Sequence, residues 1–250
     1  MKNLDWLLNT PIAHRGLHNN ELPENSMGAF AAAVDKGFNI EIDVHQSSDG
    51  KIVVFHDFDL RRMCQIDKKV SEMTCEELTS TSLKGTKETI PTLEEFLKAI
   101  DGKVGLLIEI KFKAKASGDI AQKVYNMIKD YKGNVAIQSF SPIIVYWYRK
   151  HAPEVLRGLL ATNYEDLNVP NAVRLGLRAG TRVFMRRIIK RIRPDFISYN
   201  ILSFPNKVMN RFKNEKMPFL TWTINKPELV AKSKEYADNI IFERIEITEF

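Results

Sequence analysis

Cysteine and long apolar runs are both scarce in this sequence. The only two cysteines, Cys64 and Cys75, form neither a metal-ligand motif nor a redox motif, and a chain of 250 residues does not need a disulfide to fold. Near the N-terminus, Asp5 interrupts a very short apolar stretch, which argues against a signal peptide or a membrane-spanning helix. We therefore expect a cytoplasmic protein.

Acidic residues are missing from one stretch, Asn168–Pro194, which holds eight Arg or Lys residues. In its second half, basic and apolar side chains fall on opposite faces of a helix. One interpretation is a helix that packs its apolar face on a sheet and solvates its basic face. The other is peripheral contact of residues 172–193 with an anionic membrane. The stretch lacks a series of interleaved aromatic residues, so we expect no nucleic-acid binding.

Short apolar runs alternate with segments of helical spacing along most of the chain. The runs predict eight strands: Pro11–Ala13, Asn39–Val44, Val104–Ile110, Asn134–Gln138, Val155–Leu160, Asp195–Ser198, Phe219–Thr223 and Asn239–Phe242. The predicted helices are Ser26–Lys36, Thr92–Ile100, Ala121–Lys129, Ile143–His151, Ala172–Ile192, Lys207–Lys216 and Glu228–Glu235. Eight strand–helix repeats in a chain of this length predict a TIM (β/α)8 barrel, with residues 1–250 as one domain.

One segment, residues 46–91, breaks this alternation between the second and third predicted strands. It begins with a turn signal, Asp49-Gly50, followed by the apolar run Ile52–Phe55. We interpret the segment as a small insertion after strand two that lies on the catalytic face of the barrel, where such loops are tolerated and often functional.

Three carboxylates follow the spacing expected of a metal site. Glu41 and Asp43 are separated by one residue on a predicted strand, so both side chains point to the same face. Glu109 and Lys111 repeat this spacing on the next barrel strand. Close carboxylates repel unless a proton or cation lies between them, so Ca²⁺ or Mg²⁺ is the expected occupant. The alternative is a set of interior ion pairs between the acids and Lys111.

Two histidines come directly after apolar strand-like runs, at His14 and His56. That position places a side chain at the carboxyl-terminal face of a barrel, where active sites of this fold lie. Two imidazoles there could divide general-acid and general-base work. Arg15 could bind a phosphate through its planar fork, and Gly16 would let the backbone come close. A predicted helix starts with Asn25 or Ser26 as its cap, and Asn25 could also face the site.

Several of these residues belong to motifs that resemble, in order, those of the glycerophosphodiester phosphodiesterase family. The motifs are His14-Arg15-Gly16, Pro23-Glu24-Asn25, Glu41-Ile42-Asp43-Val44, Asp49-Gly50, His56-Asp57, Glu109-Ile110-Lys111, Gln138-Ser139-Phe140 and Trp222-Thr223. The resemblance implies a (β/α)8 barrel, with the insertion as the family's small extra subdomain. It also implies hydrolysis of glycerophosphodiesters to sn-glycerol 3-phosphate and an alcohol.

The resemblance assigns a role to each matching position. It implies metal ligation by Glu41, Asp43 and Glu109, and acid/base catalysis by His14 and His56, with the two histidine roles left open. The implied substrate-binding residues are Arg15, Lys111, Asn25 and Trp222. At strand eight, Asn239 stands where the family usually has glycine, and the bulkier Phe242 precedes the acid Glu243, so substrate fit is expected to differ there.

Two further functions stay open at this point. A lysophospholipase D-like or phospholipase C-like enzyme would cleave lipid phosphodiesters at a membrane surface, which the basic residues 172–193 could contact. A non-catalytic barrel would bind phosphodiesters without cleaving them. Because every expected catalytic side chain is present, the sequence favours the enzyme.

Overall fold

Eight parallel strands close into a barrel in this structure, a computed structural model that describes residues 2–111, 117–162, 187–206, 212 and 215–247. Closure is complete because β1 pairs in parallel with both β2 and β9. The nine strands are β1 Ile12–His14, β2 Asn39–Gln46, β3 Ile52–Val54, β4 Leu106–Ile110, β5 Val135–Ser139, β6 Leu156–Ala161, β7 Phe196–Asn200, β8 Phe219–Ile224 and β9 Asn239–Phe242. The ninth, β3, lies outside the barrel and pairs antiparallel with β2.

Most of the helices lie between barrel strands and pack on their outer face, whereas the first precedes the barrel and two short ones belong to the insertion. The helices are α1 Asp5–Asn9, α2 Met27–Asp35, α3 Arg61–Cys64, α4 Cys75–Thr79, α5 Leu93–Ile100, α6 Ser117–Ile128, α7 Pro142–His151 and α8 Pro227–Tyr236, and residues 187–192 are also helical. Short 3₁₀ turns lie at Val70–Glu72 and Ile201–Ser203. Thr92 and Glu95 form a capping box that fixes the start of α5, because each side chain accepts a hydrogen bond from the other residue's backbone N–H.

The eight predicted barrel strands are all present, with ends shifted by at most two residues. Five predicted helices correspond to α2, α5, α6, α7 and α8, although α6 begins at Ser117 rather than Ala121. Most of the predicted helix Ala172–Ile192 and of Lys207–Lys216 lies outside the described residues. The same holds for the basic face between residues 172 and 186, so its proposed membrane contact stays a prediction. Within the described part of the chain, every helix is too short or too polar to cross a membrane.

The insertion begins with the predicted hairpin. Gly50 adopts a φ of 82° in the turn, and its N–H donates to the Ser47 carbonyl at 3.0 Å. Beyond β3, the segment holds the short helices α3 and α4. Its apolar side chains form a separate small core: Val53, Phe55, Leu60, Met63, Val70, Met73, Leu78, Leu83 and Ile90. This packing holds α3 beside the carboxyl-terminal ends of the first barrel strands.

Alternation along the strands determines which side chains enter the barrel interior. Ile12 and Leu107 belong to an interior apolar layer that Leu7 of α1 also joins, whereas Ile42 and Ile108 pack outward under the helices. Two residues after Ile12 and Leu107, the interior positions are taken by His14 and Glu109, which are polar. The barrel therefore brings the polar residues of several strands together at its carboxyl-terminal end, next to the interior apolar layer.

Candidate active site

Glu41, Asp43 and Glu109 meet at the carboxyl-terminal end of the barrel. Glu41 and Asp43 lie on β2, and Asp43 is the register partner of Glu109 on β4. All three are buried, and one carboxylate oxygen from each lies within 4.8 Å of the others. The predicted acidic triad is therefore assembled in one place.

The surroundings of the triad shift the pKa values of its three carboxyl groups in different directions. Burial and the charges of Asp43 and Glu109 raise the pKa of Glu41 well above its usual range. Burial also raises the pKa of Glu109. For Asp43, burial opposes ionisation, but the charges of Lys111 and Arg15 outweigh it and lower the pKa. Glu41 in particular is thus difficult to ionise without a further cation.

Lys111 provides part of the expected interior ion pairing. Its Nζ lies 2.8 Å from Asp43 Oδ1 and 2.7 Å from Glu109 Oε1, and these attractions raise its pKa against the opposing effect of burial. From the described residues, Glu41 accepts two long hydrogen bonds, one from the Arg15 N–H at 3.2 Å and one from Gln138 Nε2 at 3.4 Å. Ion pairing with Lys111 therefore accounts for two of the acids and leaves Glu41 unbalanced.

The donor set suits a hard divalent cation. Besides three carboxylates, the side-chain oxygens Asn25 Oδ1 and Gln138 Oε1 are buried and have no hydrogen-bond partner among the residues that the structure describes. Carboxylate and amide oxygens are the ligands that Ca²⁺ and Mg²⁺ prefer. A cation among these oxygens would also relieve the repulsion that raises the pKa of Glu41. The triad could therefore hold a metal ion.

His14 lies at the end of β1 beside the triad. Its Nδ1 is 2.7 Å from Glu243 Oε2, and its Nε2 is 3.9 Å from Glu41 Oε2. Burial opposes ionisation of Glu243, but hydrogen bonds from His14 and His18 outweigh it and lower the pKa, so Glu243 is ionised and can only accept. The Nδ1 of His14 therefore carries a proton, and its Nε2 faces the acids.

His56 has the same kind of partner. Its Nδ1 lies 2.6 Å from Asp57 Oδ1. Burial opposes ionisation of Asp57, but hydrogen bonds from His56 and Arg62 outweigh it and lower the pKa. An ionised Asp57 accepts the Nδ1 proton of His56, which leaves Nε2 for proton transfer. Both predicted histidines thus have a carboxylate at Nδ1, which leaves Nε2 as the ring nitrogen available to a substrate.

Arg15 and Asn25 both contact Asp43. Arg15 Nε lies 3.2 Å from Asp43 Oδ2, and Asn25 Nδ2 donates to the same oxygen at 3.0 Å. The predicted helix start is confirmed, with Ser26 as its cap, because the Ser26 side chain accepts a hydrogen bond from the Ala29 N–H. Asn25 therefore reaches the site while Ser26 acts as the cap.

The structure explains the glycine at position 16 by packing within the protein, rather than by the predicted close approach of the backbone to a phosphate. Its φ is 80°, and a Cβ there would lie 2.8 Å from the Ala29 carbonyl carbon and 2.9 Å from the Phe30 ring. The glycine is needed because the loop after β1 packs directly on α2.

A small cavity of about 80 Å³ joins the predicted residues. It is lined by His14, Arg15, Glu41, His56, Glu109, Lys111, Gln138, Phe140, Leu160, Trp222, Thr223 and Ile241. Trp222 stands edge-on to Phe140, with ring centroids 5.7 Å apart. In the described part of the chain, its buried Nε1 has no hydrogen-bond partner. Of the nine predicted site residues, seven line this cavity, Asp43 lies in the triad, and Asn25 contacts Asp43.

The end of β9 differs from the sequence-based expectation. Phe242 is buried and packs on the Phe38 ring, with centroids 4.9 Å apart, so it does not face the cavity. Asn239 donates to the carbonyls of Leu7 and Thr10 and so ties β9 to α1. Within this run, Ile241 lines the cavity, and Glu243 reaches the site through its contact with His14.

Sequence reasoning missed several partners of the site residues. The sequence pattern predicts no role for Glu243, Glu24, Arg62 or His18. The His18 side chain is buried, and its Nε2 lies 3.4 Å from Glu243 Oε2. An acid at the end of a barrel strand was the one available signal for Glu243. Nothing in the local sequence indicates the contacts of Arg62, which come from the packing of the insertion.

Comparison with known proteins agrees with this geometry. The chain matches the glycerophosphoryl diester phosphodiesterase family over residues 14–246. It is 36% identical over 159 residues to a glycerophosphodiester phosphodiesterase of Caldanaerobacter subterraneus subsp. tengcongensis. That alignment covers 60% of this chain and 65% of the relative, so the chain spans less than two thirds of the relative's length.

Solved structures show the same architecture. A glycerophosphodiester phosphodiesterase from Thermotoga maritima is 26% identical, with a TM-score of 0.72 and 94% of each chain covered. An Oleispira antarctica phosphodiesterase in complex with the product sn-glycerol-3-phosphate shares the fold at 24% identity, with a TM-score of 0.79 and coverage of 95% of this chain and 93% of the other. Since the family match includes nearly the whole barrel, the chain belongs to the glycerophosphoryl diester phosphodiesterase family.

Proposed function

We propose that this chain hydrolyses glycerophosphodiesters to sn-glycerol 3-phosphate and an alcohol. One observation carries the proposal: two carboxylate-paired histidines and two carboxylates of the buried acidic triad, Glu41 and Glu109, line the same small cavity. Family membership and the product held by the Oleispira antarctica structure support the same reaction.

Each residue type then has a task in phosphodiester cleavage. Arg15 and Lys111 bind the phosphate, since both are cationic and line the cavity. Glu41, Asp43 and Glu109 would hold Ca²⁺ or Mg²⁺, and the hydrogen bond from Asn25 orients Asp43. When bound, the cation would polarise a phosphoryl oxygen and lower the pKa of the attacking hydroxyl or water.

The histidines carry the proton transfers. One Nε2 accepts the proton of the nucleophile, and the other donates a proton to the departing alkoxide. The carboxylates on Nδ1 hold each ring in the tautomer that places Nε2 toward the substrate. Burial and the charge of Arg15 lower the pKa of His14, and the contact with Glu243 opposes this effect. Trp222 provides an apolar wall for the substrate beside Phe140.

The identity of the products tests the reaction. Purified protein incubated with glycerophosphocholine and Mg²⁺ or Ca²⁺ is expected to release glycerol 3-phosphate and choline in equal amounts. Release of phosphocholine and glycerol would show that the other ester bond is cleaved. Binding of the diester without release of any product would favour the non-catalytic barrel.

A larger groove beside the cavity supports a second candidate, a lysophospholipase D-like activity. The groove has a volume of about 830 Å³ and shares His56, Glu109, Lys111 and Phe140 with the cavity. Its wall includes apolar side chains that are unusually exposed, with 40% of Phe58, 48% of Phe140 and 56% of Ile143 accessible. Such a surface would take an acyl chain better than a small polar alcohol.

A single substitution in the groove distinguishes the two substrates. Ile143→Ser is expected to lower kcat/KM for lysophosphatidylcholine by about tenfold, since the lost apolar contact is worth roughly 1–2 kcal/mol, and to leave glycerophosphocholine turnover within about twofold. Leu202→Ser is the matched control, because Leu202 is 67% exposed and does not line the groove. Equal effects on both substrates would remove the acyl-chain role.

A further inference from the structure

One arginine of the insertion bridges two acids that belong to different parts of the site. Arg62, on α3, donates to Glu24 through both terminal nitrogens, at 2.8 Å and 2.6 Å, and through Nε to Asp57 at 2.6 Å. Glu24 lies in the loop after β1, and Asp57 directly follows His56. The guanidinium therefore joins the first barrel loop to the loop that carries a proposed catalytic histidine.

On one side, the bridge continues to the proposed phosphate-binding arginine. Glu24 also accepts a hydrogen bond from Arg15 Nη1 at 2.6 Å, and Arg15 Nε lies 3.2 Å from Asp43 Oδ2. Burial opposes ionisation of Glu24, but the hydrogen bonds from Arg62 and the charge of Arg15 outweigh it and lower the pKa to about 2. A charged Glu24 held from both sides leaves the Arg15 side chain little freedom.

On the other side, the bridge continues to His56. Asp57 uses Oδ1 for the His56 ring and Oδ2 for Arg62, so both of its oxygens are engaged. Without Arg62, Asp57 could rotate about its side-chain bonds and present its carboxylate to solvent. The orientation of the His56 ring therefore depends on Arg62 through Asp57.

Only an arginine fits this arrangement. Its fork supplies two parallel hydrogen bonds to one carboxylate while Nε reaches the second, whereas a lysine ammonium is a single point donor on a flexible stem. The neighbouring Arg61 differs, because its side chain is 66% exposed and pairs with Asp59 and Asp67 at the surface. Adjacent arginines of the same helix thus have different surroundings.

We propose that Arg62 is a positioning residue for catalysis, which orients His56 through Asp57 and Arg15 through Glu24. The insertion thereby completes the active site rather than only covering it. The inference rests on the proposed phosphodiesterase function, since it assigns Arg62 to the proton-transfer and phosphate-binding groups of that reaction.

Kinetics of matched variants test the proposal. Arg62→Met is expected to lower kcat/KM for glycerophosphocholine by roughly 10–100-fold, the usual effect of removing a partner that orients a functional residue. Because His56 acts on the chemical step and Arg15 on the phosphate, kcat should fall and KM should rise. Arg62→Lys should stay at least about fivefold below wild type. Arg61→Met should remain within about twofold.

A measurement that does not need turnover separates this inference from the function itself. In ¹⁵N-histidine NMR spectra, His56 of the wild type is expected to carry its neutral-form proton on Nδ1. Arg62→Met should shift both ring nitrogens of His56, and Arg61→Met should shift neither. If the wild type cleaves no diester but Arg62→Met still shifts His56, the proposed function fails and the positioning role stands.

Two results would overturn the proposal. One is Arg62→Met with kinetics and His56 signals equal to those of wild type. The other is an equal loss in Arg61→Met, which would point to general damage of α3. Circular dichroism and thermal unfolding show whether Arg62→Met folds. If it does not, the kinetics and His56 signals of Arg62→Lys, which keeps the charge, are compared with those of wild type instead.

Discussion

Replacing His14 or His56 by alanine is expected to lower kcat for glycerophosphodiester hydrolysis by roughly 10²–10⁴-fold, the range observed when a proton-transfer group is lost. A carboxylate contacts Nδ1 of each imidazole, Glu243 for His14 and Asp57 for His56. Nε2 of both rings is therefore the nitrogen that can transfer a proton to or from the substrate. No other imidazole among the described residues lines the cavity and could replace them.

A histidine remote from the site provides the control for this prediction. His151 ends α7 and stacks on Trp147, with ring centroids 5.0 Å apart. His151→Ala should keep turnover within about twofold. Full activity of His56→Ala in steady-state assays would contradict the catalytic role of the loop after β3, and full activity of His14→Ala would contradict that of β1.

Removing Glu41 is expected to act mainly through the metal. Glu41→Ala takes away one of three clustered carboxylates, so metal affinity should fall by at least about 10²-fold, beyond the 10–100-fold typical of outer-shell changes. Turnover should be lost at low metal concentration. Calorimetric titration with Ca²⁺ and Mg²⁺ measures the affinity, and Glu94→Ala, at an exposed position of α5, is the control.

The same substitution makes a prediction about stability. Without metal, burial and the neighbouring acids raise the pKa of Glu41, which means that its charged form is disfavoured in the folded state. Metal-free Glu41→Ala should therefore unfold at no lower temperature than metal-free wild type. A large fall in Tm would instead identify Glu41 as a structural ion-pair partner.

The barrel and its acidic triad were predictable because both follow from strand periodicity. Glu41 and Asp43 share a face since side chains alternate along a strand, and the apolar run before Glu109 indicates the same position on the next barrel strand. Strand ends moved by up to two residues, because hydrogen bonding to neighbouring strands, rather than apolar character, decides where a strand stops.

The partners of the site residues were less predictable, because they depend on how distant segments pack. Glu243 lies 229 residues from His14 in sequence, and Glu24 lies 38 residues from Arg62. Neither separation has a local signature. The short helix α3 was also not predicted, since its four residues show no helical periodicity and it is held by the small core of the insertion.

The most direct test of the central claim is turnover of glycerophosphocholine by metal-free enzyme, followed by stepwise addition of Ca²⁺ or Mg²⁺. We predict that glycerol 3-phosphate release is lost after chelation and returns in proportion to the metal bound, up to one ion for each chain. Turnover that persists at full rate in a chelator, with no metal detected on the protein, would contradict a metal site at Glu41, Asp43 and Glu109.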